Sequence, residues 1–130
     1  MLPRVMLVED DDVIREIYAM KFELEGFPTM AAENGQAALD VMGQFNPEII
    51  LLDMMMPVMG GLEFMRALKS QVSVLPHIIV FSNISAPHQV DAVMRLGAKA
   101  HWTKSDYTPE RVARELMNLW RQQADRAQTA

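Results

Sequence analysis

Cysteine is absent from this 130-residue chain. That excludes disulfides, thiolate nucleophiles and cysteine metal ligands, and it fits a reducing cytoplasm, the expected location. Long apolar runs are missing as well. The stretch Ile49–Leu52, or Met54–Met59 if Pro57 is counted, falls far short of the roughly 18 residues a membrane span needs. No secretory signal is read at the N-terminus: Arg4 and the short apolar stretch Val5–Val8 lead straight into Glu9, Asp10, Asp11 and Asp12. Positive charge is sparse: 12 Lys and Arg stand against 17 Asp and Glu, a net charge of −5 with no basic run. Direct binding to nucleic acid is therefore not expected, nor is binding to a membrane. Repeats and low-complexity inserts are lacking too.

What remains is a soluble composition, half hydrophobic, in which short apolar runs alternate with amphipathic segments. Arg4–Val8 reads as a buried strand. Val13, Ile17, Met20 and Leu24 recur at helical spacing and predict a helix with that stripe inward, ended by Gly26. Pro28–Ala32 reads as an edge strand, and Asn34 as the cap of a helix that stops at Asn46-Pro47. Glu48–Leu52 is the clearest strand, with Asp53 at its end. A Pro57, Gly60 and Gly61 loop leads to a helix with Leu62, Met65 and Leu68. His77–Phe81 is the fourth strand, ending at Ser82. Val90, Val93, Met94 and Leu96 give the fourth helix, and Ala100–Thr103 the fifth strand, ending at Lys104. Thr108-Pro109-Glu110 starts a last helix with Val112, Leu116, Leu119 and Trp120 inward. Residues 1–122 are expected to form the domain, with 123–130 a polar, frayed C-terminal tail.

Five strands alternating with five helices predict an α/β fold. The expected form is a flavodoxin-like, doubly wound, five-stranded parallel sheet in the order 2-1-3-4-5. Sites in such sheets lie outside the carboxyl ends of the strands. Glu9, Asp10, Asp53, Ser82 and Lys104 should then meet on one rim. Crowded carboxylates ask for a cation. Mg²⁺ suits oxygen ligands and phosphate, and Mn²⁺ should replace it. Phosphoryl transfer needs little beyond positioning and charge neutralisation. Asp53 can serve as the nucleophile, with Lys104 and Ser82 on the phosphoryl oxygens.

Taken singly, these residues have ordinary readings. An acidic run commonly marks a helix N-terminus, with Asp12 as a cap or first-turn acid and Asp11 solvated. Ser82 alone reads as a turn residue, Lys104 as a surface lysine, and His101 as structural. His77 and His88 show no metal-ligand spacing. The 12 methionines read as core filling, or, for Met54–Met56, as a soft contact surface.

Together, Glu9-Asp10, Asp53 followed by Met54-Met55-Met56-Pro57 and Gly60-Gly61, Ser82 and Lys104 resemble the receiver domain of two-component response regulators, of the CheY-like superfamily. The likeness runs from Arg4 to about Trp120. It implies that a sensor histidine kinase or phosphotransfer domain phosphorylates Asp53. It also implies that Glu9 and Asp10 hold Mg²⁺ with Asp53 and the Met55 main-chain carbonyl, that Lys104 contacts the phosphoryl group, and that Ser82 is a switch hydroxyl. Output would pass to an unidentified downstream protein through the surface of the fourth helix, fifth strand and fifth helix. The domain would be a phosphoacceptor with slow dephosphorylation, not a dedicated enzyme.

Three positions depart from the family pattern. Ser105 replaces a common proline, His101 the usual Tyr or Phe of the switch, and Asn83 a common alanine. Two other function classes share a strand-end aspartate or this architecture. A dehalogenase-type phosphatase needs a second acid two residues after its nucleophile, and Met55 stands there. A pseudo-receiver would have lost Asp53, Asp10 or Lys104, and all are present.

Overall fold

The computed structural model describes residues 1–83 and 87–129. Five strands, β1 (Val5–Val8), β2 (Thr29–Ala32), β3 (Ile49–Leu52), β4 (His77–Phe81) and β5 (Ala100–Trp102), form one parallel sheet in the order β2-β1-β3-β4-β5. Five helices alternate with them: α1 (Asp12–Leu24), α2 (Gly35–Phe45), α3 (Gly61–Gln71), α4 (Pro87–Leu96) and α5 (Pro109–Thr129). The expected topology is thus present.

The strands read as continuous apolar runs because both faces are covered. Met6, Val8, Ile50, Leu52, Ile78 and Val80 belong to a core shared with Phe64, Met65 and Leu68 of α3 and Val90 and Val93 of α4. Val5, Leu7, Ile49, Leu51, Ile79 and Phe81 face the other core, with Tyr18 and Phe22 of α1 and Val112 and Leu116 of α5. Helix ends follow the sequence signals. The Asn34 side chain accepts from Ala37 N–H, and Thr108 Oγ1 from Arg111 N–H. Asn46 closes α2 in the left-handed region at φ 51°, and Gly26, at φ 95°, follows α1 in a conformation that glycine adopts freely.

Three expectations are corrected. The stripe of α1 that faces the core is not Val13, Ile17, Met20 and Leu24, which are 64%, 50%, 59% and 78% exposed. Tyr18 and Phe22, with Ile14 partly buried beside them, face inward instead. The helix carries two adjacent apolar stripes, and the one with the larger rings fills the space between sheet and α5. Tyr18 and Phe22 meet edge-on at 6.0 Å, and Tyr18 meets Phe81 at 5.3 Å. Second, Asp11 is the cap of α1, its carboxylate accepting from Val13 and Ile14 N–H, and Asp12 is a first-turn acid. Third, helical structure does not stop near Trp120: α5 continues to Thr129, through a segment rich in the helix formers Arg, Gln and Ala. Of the expected tail, Ala130 lies outside the described residues.

The two stripes of α1 should separate in stability. Phe22→Ala removes a fully buried ring and is expected to cost about 3–5 kcal/mol. Leu24→Ala, on the exposed stripe, should stay within about 0.5 kcal/mol of wild type. Urea unfolding of the two variants checks this, and a costly Leu24→Ala would return the outer stripe to the core.

Candidate functional site

The parallel register places the carboxylates. Val8 pairs with Leu52, so the next residues, Glu9 and Asp53, leave the sheet side by side. Asp53 N–H donates to the Val8 carbonyl and Glu9 N–H to that of Ala32, both at 3.0 Å. Asp10 lies on the exposed lip of the same loop. Glu9, Asp10 and Asp53 each offer an oxygen within 4.8 Å of the others. Glu9 and Asp53 are 1% and 7% exposed, so two carboxylates end buried strands where water is scarce.

Lys104 supplies the cation that stands among them. Its Nζ donates to Asp53 Oδ2 at 3.1 Å and forms an ion-pair contact with Glu9 Oε1. Oε1 is buried, and that ammonium is its partner. Glu9 Oε2 accepts from Asp11 N–H at 3.0 Å, and Asp53 Oδ1 from Met54 N–H at 2.8 Å. Burial pushes the Glu9 carboxyl up to about 7, against the lowering pull of Lys104. Burial likewise raises the Asp53 carboxyl, with Lys104 again opposing. For Lys104, burial pulls downward, but Glu9 and Asp53 outweigh it and its ammonium is held above the usual lysine range.

Three carboxylates from two adjacent strand ends, two of them buried, suit a hard divalent cation. The donor set is all oxygen and offers neither imidazole nor thiolate, which disfavours zinc. Ser82 ends β4 buried, its hydroxyl donating to the Asn83 carbonyl at 3.0 Å. His101 Nε2 lies 3.1 Å from the Ser82 carbonyl. Of the residues singled out from the sequence, Glu9, Asp10, Asp53 and Lys104 come together, with Ser82 and His101 on the neighbouring edge. Met55 is 55% exposed on the loop after Asp53. His77 is structural at the opposite pole, its Nδ1 3.0 Å from Gln123 Nε2. A cavity of about 690 Å³ opens at that pole too, beside Trp120 and Leu75, and has no part in the carboxylate cluster.

Some contributors were not singled out from the sequence. Arg15 Nη1 donates to the Glu9 carbonyl at 2.8 Å and braces the acidic loop. Its position one turn into α1 was the available signal. The loop after Asp53 holds Val58 at φ 67°, where a β-branched residue is strained, with Met59 N–H donating back to the Pro57 carbonyl at 2.7 Å.

The family model described as the response regulator receiver domain matches residues 5–115. The chain belongs to that family. It is therefore a receiver domain of two-component phosphorelay signalling, a signalling domain and not a dedicated enzyme. The alkaline phosphatase synthesis transcriptional regulatory protein SphR of Synechococcus elongatus is 32% identical over 135 residues, covering 97% of this chain and 52% of its own length. The regulatory protein AtoC of Escherichia coli is 32% identical over 95 residues, 73% of this chain and 20% of its own. The chain thus spans about half or less of the curated relatives it matches. Among solved structures, the N-terminal domain of an uncharacterized Wolinella succinogenes protein superposes with a TM-score of 0.83 at 25% identity, covering 97% of this chain and 99% of that one. The Vibrio cholerae chemotaxis protein CheY4 gives 0.78 at 25% identity, covering 91% and 98%.

The loop after Asp53 rests on a close approach at Gly61. A Cβ there would stand 2.6 Å from the Asp53 carbonyl oxygen and 2.9 Å from Met54 Sδ. Gly61→Ala should therefore cost about 1–3 kcal/mol and displace the Asp53 main chain. Gly43, inside α2 with open space around its Cβ position, is the control: Gly43→Ala should stabilise by about 0.5–1 kcal/mol. Thermal unfolding of both variants checks this, and equal effects would mean that the approach at Gly61 is not limiting.

Proposed function

We propose that Asp53 is the phosphoacceptor of this receiver and that Glu9, Asp10, Asp53 and the Met55 carbonyl hold Mg²⁺, with Mn²⁺ able to replace it. The observation that carries the reading is the buried Asp53 carboxylate, held by Met54 N–H on one oxygen and Lys104 on the other. An Asp53 oxygen attacks the phosphorus of a phosphohistidine. A P–O bond forms, the P–N bond breaks, and the donor imidazole leaves. The metal ion, when bound, neutralises charge on the phosphoryl oxygens. Lys104 neutralises further charge, and its ammonium already stands at the acceptor. The Ser82 hydroxyl turns from the Asn83 carbonyl to a phosphoryl oxygen. Met55, apolar and two residues on, shields the acyl phosphate and cannot orient attacking water.

Output runs through the α4-β5-α5 surface to a downstream protein. Phosphorylation adds up to two negative charges at Asp53 and draws Ser82 toward them. His101, in contact with the Ser82 carbonyl, moves with it. The acidic net charge supports protein partners, and cytoplasmic work suits the cysteine-free composition. Incubation with acetyl phosphate and Mg²⁺, followed by intact mass and site mapping, tests the acceptor. The wild type should gain one phosphoryl group and Asp53→Asn none. Labelling of the variant at the wild-type rate would remove Asp53 from the role.

The phosphodonor, a sensor histidine kinase or phosphotransfer domain, docks on the outer stripe of α1. Val13, Ile17, Met20 and Leu24 are exposed, and the stripe begins three residues beyond Asp10. Beside it, Ile17, Met20, Leu24 and Pro109 line a groove of about 280 Å³. Exposed apolar surface of this kind marks an interaction site. Ile17→Glu should slow transfer from a phosphorylated histidine phosphotransfer domain by roughly tenfold, the loss of about 1.4 kcal/mol of docking energy. Labelling by acetyl phosphate should be unchanged within about twofold. An equal loss in both assays would mean that Ile17 supports the fold and not the donor.

A further inference from the structure

We propose that Asn83 is a positioning residue for phosphoryl transfer, acting through the main-chain N–H of Ser105 to hold the Lys104 turn against the acceptor. The inference rests on the reading of Lys104 as the phosphoryl-contacting cation. Lys104 opens a single 3₁₀ turn, Lys104–Asp106, whose N-terminal flank, Thr103, makes no side-chain capping bond. The first N–H groups of such a turn have no partner within it. Ser105 N–H finds one across the rim: it donates to Asn83 Oδ1 at 3.1 Å, a contact between residues 22 apart in sequence. Any residue but proline at 105 carries that donor, and only a side chain with an acceptor at 83 can meet it.

The bond belongs to a row of cross-links between the end of β4 and the end of β5. Ser82 N–H donates to the Trp102 carbonyl at 3.2 Å, and His101 Nε2 lies 3.1 Å from the Ser82 carbonyl. Behind the turn, Arg111 Nη1 donates to the Asp106 carbonyl at 2.7 Å, and Tyr107 N–H to that of Lys104 at 3.1 Å. The turn is thus anchored to α5 on one side and to Asn83 on the other, and Lys104 Nζ reaches Asp53 and Glu9 from between these anchors. Asn83 directly follows Ser82. The two groups expected on the phosphoryl oxygens, the Ser82 hydroxyl and the Lys104 ammonium, are therefore joined by a short chain of covalent and hydrogen bonds. Asn83 and Ser105 are both exposed, so this bond adds little to folding stability. Its consequence is where Lys104 stands.

The test is a double-mutant cycle on labelling by acetyl phosphate and Mg²⁺, with Asp53→Asn as the control for the acceptor itself. Asn83→Ala should shift the Ser105 amide resonance and slow labelling roughly three- to tenfold, with the melting temperature unchanged. Asn83→Asp keeps an acceptor of the same reach and should restore both the resonance and most of the rate. In a Lys104→Gln background, followed over hours to an endpoint, Asn83→Ala should slow labelling no further. Fluoroberyllate titration read by tryptophan fluorescence repeats the cycle without turnover, and the same pattern is expected. A wild-type rate in Asn83→Ala, or an equal loss in the Lys104→Gln background, would overturn the proposal. Labelling of Asp53→Asn would instead overturn the acceptor reading on which it rests.

Discussion

Two carboxylates at the ends of buried strands need a cation, and the rest of the site follows from that need. Glu9 and Asp53 leave β1 and β3 in parallel register, at a point where neither can hydrate freely. Alone, a buried pair of like charges would shed one charge by taking up a proton. Lys104, at the end of β5, supplies the opposite charge from two strands beyond β3 and three beyond β1, and its own ammonium is stabilised by the carboxylates against the cost of burial.

Much of this was legible in the sequence because it rests on strand ends. A strand in a covered parallel sheet is a run of apolar residues, and the residue that breaks the run marks the carboxyl end. Glu9, Asp53 and Ser82 are each such a residue, and Lys104 follows the short mixed strand β5. Alternation of short apolar runs with amphipathic segments then fixes the crossovers, and the crossovers fix which ends converge. The inward face of α1 was not legible for a different reason. Spacing identifies a helix but does not choose between two apolar stripes on it. Tyr18 and Phe22 win because two rings fill the gap between the sheet and α5 better than Ile17 and Met20 do, and that gap exists only in three dimensions. Asp11 shows the same limit on a smaller scale. Which of four consecutive acids caps a helix depends on where the backbone turns, and only Asp11 has its carboxylate beneath Val13 and Ile14 N–H.

The surplus stripe on α1 is also a constraint on how the protein can be used. A helix with apolar residues on two faces satisfies its own core with one and leaves the other in water, at a cost in solubility that a protein with no partner would shed by substitution. Its position matters. Helix α1 begins where the acidic loop ends, and Arg15 Nη1 ties its first turn to the Glu9 carbonyl. The partner proposed for the outer face of α1 would therefore bear on an element that is bonded to the acidic loop, so that docking and charge placement share one support.

The opposite edge of the site is built differently. Around Glu9 and Asp53 the restraints are those of the sheet itself, adjacent strands and register, together with Gly61 packed against the Asp53 carbonyl. Around Ser82 and Lys104 they are individual hydrogen bonds at loop and turn residues, those of Asn83 with Ser105 and of Arg111 with Asp106 being solvent-exposed. Exposed hydrogen bonds exchange with water at little net cost, whereas sheet register cannot shift without turning core side chains outward. The molecule therefore has a fixed half that presents the acceptor and a half held by bonds that are easily traded. A phosphoryl group on Asp53 adds acceptor oxygens next to the second half. The bonds available for exchange there are those of Ser82, His101, Asn83 and the Lys104 turn, so under the proposed phosphorylation the β4–β5 edge is where hydrogen bonds are traded at least cost.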